Sequence, residues 1–141
     1  MIIVDSGAWI GLVNRRDTYH SACRTFFACN REPLITTFPV LVEVTHLLHR
    51  RVGVAMTIAW METIRDNGVQ VFSLQQHHLH RITHLMDRYR DLPMDLADAS
   101  LVILAEEINT GKIISTDQRD FGTYRWKNHQ PFENLLVPDV H

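Results

Sequence analysis

Cysteine is scarce here: Cys23 and Cys29 are the only two in 141 residues. Two thiols at that spacing make neither a disulfide framework nor a zinc pattern. Both are expected to be plain buried or half-buried thiols of a cytosolic protein. No apolar run approaches the roughly 20 residues a membrane span needs, so no membrane association is expected. The opening MIIVDSG lacks the basic stretch and long apolar run of a secretory signal, and a cytoplasmic protein is expected. A dominant charge is missing too: 14 Lys and Arg against 16 Asp and Glu leave a net −2. That balance argues against nonspecific coating of nucleic acid, which favours a strongly basic domain. It leaves room for a nuclease whose acidic site offsets its basic contacts. Repeats, low-complexity tracts and linkers are absent as well. With 45% hydrophobic and 21% charged residues, the chain reads as one domain over 1–141.

What is present alternates. MIIVD (1–5) is a short β-branched apolar run, as expected of a strand buried on both faces. Ser6 and Gly7 break it, and helical segments follow through residue 30. PLITT (33–37) is a second strand, and PVLVEVTHLLHRR (39–51) a helix with Pro39 tolerated in its first turn. Another helix fits 54–66, closed by Asn67-Gly68. VQVFS (69–73) is a third strand, followed by helices at 75–90 and 95–109. KIIST (112–116) and NLLVP (134–138) supply a fourth and a short fifth strand. Strands alternating with helices imply crossover connections, hence a three-layer α/β/α sandwich around a central, mainly parallel sheet.

In such sheets, ligands bind beyond the carboxyl ends of the strands. Asp5 ends the first strand; Asp117 follows the fourth, with Asp120 three residues on. Two more acids lie inside apolar helices: Glu43 between Val42 and Val44, and Asp98 on a stripe with Leu101, Val102 and Ala105. Lone carboxylates in such company are costly unless paired or bound to metal. Four of them converging on one sheet end would repel each other without a cation, and an all-oxygen set suits Mg²⁺ or Mn²⁺. Each acid also has a plainer reading. Asp5 can cap the helix after it, Glu43 can pair with a neighbouring base, and Asp117 and Asp120 can be turn residues. Asp95 makes a good N-cap, and Asp98 three residues later completes the pattern of a capping box. The crowded His77, His78, His80 and His84 include an i, i+4 pair of the kind that chelates metal. Without a neighbouring Glu beside His80, a solvated helix face is the better reading.

The segments IIVDSGAWIGLVNRRDTYH, TTFPVLVEVTHLL, DLADASLVILAEE and ISTDQRDFGTYR resemble, in order and context, a PIN-domain ribonuclease, most closely the VapC-type toxins of toxin–antitoxin pairs. The resemblance runs from Met1 to NLLVP. It implies that Asp5, Glu43, Asp98 and Asp117 are the metal-binding catalytic acids. It gives Ser6 and Thr116 as supporting hydroxyls, Asp120 as a position acidic in some members, and Asp95 as a cap behind the ligands. It further implies one or two Mg²⁺ or Mn²⁺ ions, hydrolysis of an RNA phosphodiester (tRNA, rRNA or mRNA), an antitoxin whose tail blocks the site, and a homodimer.

Basic residues expected near the mouth are Arg15, Arg16, Arg119 and Arg125 with Lys127; they could contact phosphates or be solvated surface charges. Tyr124 and Trp126 could stack on bases or pack in the core. Met56, Ile58, Trp60, Met61 and Ile64 on helix 54–66 could serve a dimer interface or the core. Two rival functions stand beside the nuclease. A phospho-aspartate phosphotransfer domain would use Asp5 covalently, but Gly7 stands where a second Asp is wanted and Lys112 precedes its strand. A protein- or RNA-binding module without toxin role would use the acids as a groove for a basic peptide.

Overall fold

The computed structural model describes residues 1–136. In chain order it forms β1 (Ile2–Val4), α1 (Ser6–Val13), α2 (His20–Cys29), β2 (Leu34–Thr37), α3 (Phe38–Arg51), α4 (Val54–Asp66), β3 (Gln70–Phe72), α5 (Leu79–Arg88), α6 (Leu96–Ile108), β4 (Lys112–Ile114) and α7 (Gln118–Thr123). Three two-residue strands close the described chain: β5 (Arg125–Trp126), β6 (Gln130–Pro131) and β7 (Glu133–Asn134). Five strands form one sheet in the order β3-β2-β1-β4-β7, and every pairing is parallel. Helices flank it, as the alternating pattern predicts.

The middle strands are built from β-branched residues because both faces are covered. Ile3 pairs with Ile35 on one side and Ile113 on the other, and Ile2, Ile3, Val4, Ile113 and Ile114 are all fully buried. Helix α6 is also covered nearly all round, with Ala97 and the unbroken run Ala99–Ala105 buried. That explains why its sequence shows no polar face. Strand order turns back at β1: β2 and β3 lie to one side, β4 and β7 to the other. The crevice beyond the carboxyl ends of β1 and β4 is therefore the switch point at which such sheets receive ligands.

Several boundaries differ from the sequence reading. The helix expected over 75–90 starts as a 3-10 turn, Gln76–His78, because the His78 ring Nδ1 accepts the Gln75 backbone N–H (2.9 Å) and tightens the entry. Helix α4 runs as expected to Asp66, and Gly68 turns the chain with φ +73°, a value that favours glycine. The fifth sheet strand begins earlier, at Glu133, and the end of the expected 134–138 segment lies outside the described residues. The sequence pattern does not show the hairpin that pairs Arg125 with Pro131 and Trp126 with Gln130. Strands this short carry no alternation to read, and the turn residues Lys127 and Asn128 adopt φ +49° and +66° without glycine.

Candidate active site

Asp5 stands one residue past β1, where the strand gives way to α1, and is 6% exposed. As N-cap of that helix, its Oδ1 accepts the Ser6 N–H at 2.7 Å. Its Oδ2 accepts the Ser115 hydroxyl at 2.8 Å. Ser115 in turn receives the Asp117 N–H at 3.0 Å, so one buried hydroxyl sets the spacing between the ends of β1 and β4. Asn134 of β7 holds Ser115 from the other side, accepting its N–H at 3.2 Å and donating to its carbonyl at 2.9 Å. Asp117 then caps α7 by accepting the Asp120 N–H at 2.9 Å.

The sequence reading gave the supporting hydroxyl on this strand to Thr116; the structure gives the bond to Asp5 to Ser115. Both residues lie past the end of β4, and the chain bends at Thr116, which turns the two hydroxyls to different partners. Thr116 instead closes against α1: a Cβ placed on Gly7 would lie 2.0 Å from its Oγ1. Glycine at 7 is thus what lets the first turn of α1 approach the acid loop. Ser115 was legible in principle, as a hydroxyl two residues before an Asp at a strand end.

The remaining acids arrive on two helices pinned together by buried hydroxyls. Thr37 ends β2, caps α3 by accepting the Val40 N–H, and bonds the Ser100 Oγ of α6 at 2.7 Å. Glu43 on α3 and Asp98 on α6 are therefore carried by elements with little freedom to slide. Asp95 caps α6 by accepting the Asp98 N–H at 2.8 Å. Of the capping box only this one-way bond appears. The Asp98 carboxylate turns instead towards Tyr124, whose buried hydroxyl lies 3.4 Å from both its Oδ2 and the Pro93 carbonyl.

The electrostatics tie these residues into one group. Burial pushes Asp5 up to about 7, against the pull of its bonds from Ser115 and Ser6, and the charges of Glu43 and Asp117 push the same way. Burial likewise raises Asp98 to about 8, helped by the charges of Asp95, Asp5 and Asp120. Glu43 is raised by burial and by Asp95, with Ser6 opposing. Asp120 is raised by burial and by Asp117, and burial with the Asp98 charge lifts the Tyr124 phenol. Ser6 Oγ lies beside Glu43 yet is buried without a full hydrogen bond. Among the described residues Asp5, Glu43, Asp98 and Asp117 make no salt bridge; Arg119 pairs with Asp120 alone, at 3.3 Å.

Asp5, Glu43 and Asp98 are pushed towards neutrality; together with Asp117, with no base paired to any of them among the described residues and the unbonded Ser6 hydroxyl alongside, they form an all-oxygen donor set short of positive charge. A hard divalent cation fits that set. A second grouping, His77, His78 and Glu107, has ligand atoms within 4.8 Å of one another. It fits a metal poorly. The His78 Nδ1 already accepts a backbone N–H, which leaves the proton on Nε2, and that nitrogen donates to Glu107 at 2.9 Å. His80 and His84 are exposed on α5, as a solvated face requires.

The basic residues divide. Arg15 and Arg16 are exposed and do not stand at the mouth. A helix following a parallel strand runs back along it, so α1 carries them about 12 Å down the sheet at 1.5 Å per residue. There they line a cavity of about 400 Å³ with Arg51. Arg125 caps the end of α7, its guanidinium donating to the carbonyls of Gly122, Thr123 and Tyr124 at 2.9–3.1 Å. Lys127 Nζ bonds Asn109. Arg119 alone of the group is both largely exposed and within the acid loop. Tyr124 is fully buried and packs edge-on against Tyr89 and Phe121, and Trp126 donates to the Pro131 carbonyl. Core packing, rather than base stacking, accounts for Tyr124. On α4, Trp60 and Ile64 are core, whereas Met56, Ile58 and Met61 are exposed.

Known proteins resemble this chain in sequence and in fold. The chain is similar to Ribonuclease VapC26 of Mycobacterium tuberculosis, 23% identical over 124 residues that cover 88% of this chain and 92% of that protein. Its fold is similar to the crystal structure of Mycobacterium tuberculosis VapC20, a sarcin-ricin loop cleaving toxin, with a TM-score of 0.78 at 20% identity, covering 84% of this chain and 92% of that one. The sequence model of the PIN domain matches residues 2–127, which hold all the acids of the crevice, and the chain belongs to the PIN domain family.

Proposed function

We propose that this protein is a metal-dependent endoribonuclease, the toxin of a toxin–antitoxin pair, acting on RNA in the cytoplasm. One observation carries the reading: the four acids meet at the switch point of a parallel sheet, and among the described residues none of them is paired with a base. The names of the similar proteins, a VapC ribonuclease and a VapC toxin, support it. Asp5, Glu43, Asp98 and Asp117 would hold one or two Mg²⁺ or Mn²⁺ ions. When bound, such an ion lowers the pKa of a coordinated water and offsets charge on the phosphoryl and leaving oxygens.

The chain's own residues prepare that chemistry. Burial of Asp5 and Asp98 keeps water from screening the acids, and so strengthens their hold on a cation. Ser115 and Asn134 keep Asp5 and the Asp117 loop in register. Asp95 spares the Asp98 backbone N–H, leaving the Asp98 carboxylate to face the crevice. Arg119 is placed to meet a phosphate of the incoming strand. A cognate antitoxin and a second copy of the chain are the expected partners, and the exposed apolar side chains of α4 offer a surface for one of them.

The test is hydrolysis of RNA by the purified protein with Mg²⁺ or Mn²⁺, and its arrest by EDTA. Cleavage that continues at full rate in EDTA, free of contaminating nuclease, would remove the metal from the proposal. Ser115→Ala should lower the rate by roughly 10- to 100-fold, the usual cost of losing an outer-shell partner, and Ser115→Thr should recover much of it. An unchanged rate in Ser115→Ala would mean that Asp5 needs no such positioning.

A further inference from the structure

Phe38 is the only aromatic among the large apolar side chains exposed in the described residues, at 56%. It opens α3, and Leu96, 46% exposed, opens α6. With Pro39 and Val42, the latter 68% exposed, they line a cavity of about 450 Å³. The remaining wall is acidic: Glu43 and Asp95 line the same cavity. Those two belong to the crevice, since Asp95 bears on both Glu43 and Asp98. An apolar floor with an exposed ring therefore continues the acid cluster without a break.

We propose that this cavity seats the unpaired base next to the scissile phosphodiester, and that it favours a base presenting an amino group. The inference rests on the ribonuclease reading above. A phosphodiester held at the acids carries a base on each side, and single-stranded RNA is recognised by splaying such bases onto aromatic side chains. Tyr124, being buried, cannot supply that surface; Phe38 can. The rim then selects by hydrogen bonding. Asp95 Oδ1 accepts the Asp98 N–H, and the Asp95 carboxylate faces that of Glu43 within hydrogen-bond reach, so the rim presents two acceptor groups side by side. A carboxylate oxygen accepts from cytosine N4, but faces an acceptor, O4, on uracil. Neutral bases are also free of the repulsion that the same carboxylates impose on phosphates.

The experiment compares initial rates on short single-stranded RNAs that differ only by cytidine or uridine beside the cut, for wild type and Phe38→Ala, with Mn²⁺. The mass of each protein in solution is measured in parallel. Wild type should prefer cytidine, and Phe38→Ala should raise KM about tenfold, the scale of one lost base stack, with the Mn²⁺ shift in melting temperature unchanged. Phe38→Tyr should restore KM. Equal KM for wild type and Phe38→Ala, or equal rates on the two RNAs, would overturn the assignment. Unchanged kinetics with a lower solution mass would give the face to a second copy of the chain, and would overturn it too. Absence of hydrolysis by wild type would sink the ribonuclease reading itself, and this inference with it.

Discussion

Replacing Asp98 with Asn is expected to abolish RNA hydrolysis and yet leave a protein at least as stable as the metal-free parent. Both effects have one origin. Asp98 sits among Asp95, Asp5 and Asp120 in a half-buried setting that pushes its carboxyl up to about 8. At neutral pH the folded chain can keep this carboxyl protonated only by taking up a proton that the unfolded chain has released, which costs stability. Asn keeps the shape, still allows Asp95 to accept the backbone N–H, and removes that cost. It also replaces one of the four carboxylates proposed to hold the ion with a neutral amide. We expect a rate loss of roughly a thousandfold or more, the scale seen when a group stabilising transition-state charge is deleted. The metal-free melting temperature should rise, by about 3–4 °C for each kcal/mol of repulsion relieved. Asp5→Asn should behave likewise in activity. Retained hydrolysis in both variants, in preparations of normal circular dichroism, would remove these acids from the mechanism.

The second large effect concerns pH and metal together. Asp5 and Asp98 are raised in the folded state, to about 7 and about 8, from ordinary values of 3.8. A raised carboxyl means that the native state binds protons which the unfolded chain has released. Its contribution to stability is therefore complete below pH 3.8 and is lost as pH climbs through 7 and 8. The metal-free protein should melt at progressively lower temperature between pH 5 and pH 8, and this slope should flatten in Asp98→Asn. Mn²⁺ binds the ionised acids and not the unfolded chain, so it should restore the loss by mass action. The increment from several millimolar Mn²⁺ should accordingly grow with pH. A melting temperature that rises over the same range in the metal-free protein, or that ignores Mn²⁺ at pH 8, would contradict a preformed acid site.

Much of the crevice is legible in the sequence because each acid breaks a local rule. Asp5 and Asp117 end apolar β-branched runs, while Glu43 and Asp98 interrupt apolar helices. Those violations are visible in one dimension, as is the alternation of strands and helices that sets a parallel sheet. What escaped reading was whatever depends on direction. Arg15 and Arg16 follow α1 by two and three residues, yet the helix reverses along β1 and carries them away from the acids they were expected to serve. Arg125 and Lys127 look free in the sequence and are spent on carbonyls and Asn109. Thr116 and Ser115 are both hydroxyl residues, and only the bend after β4 decides which of them faces Asp5.

By itself, then, the sequence determined the type and order of the elements and the identity of the acids. Periodicity and the cost of burying lone charge are local properties that survive without knowledge of what lies opposite. The tertiary structure alone decided the company each residue keeps. It made Ser115 and Asn134 the brace between β1 and β4, buried Tyr124 under Asp98, and left Phe38 exposed beside Glu43 and Asp95. Strand order, the sense of each helix and the register of neighbouring strands are set by packing between segments distant in the chain. Asp5 and Ser115, 110 residues apart, meet only because β1 pairs with β4.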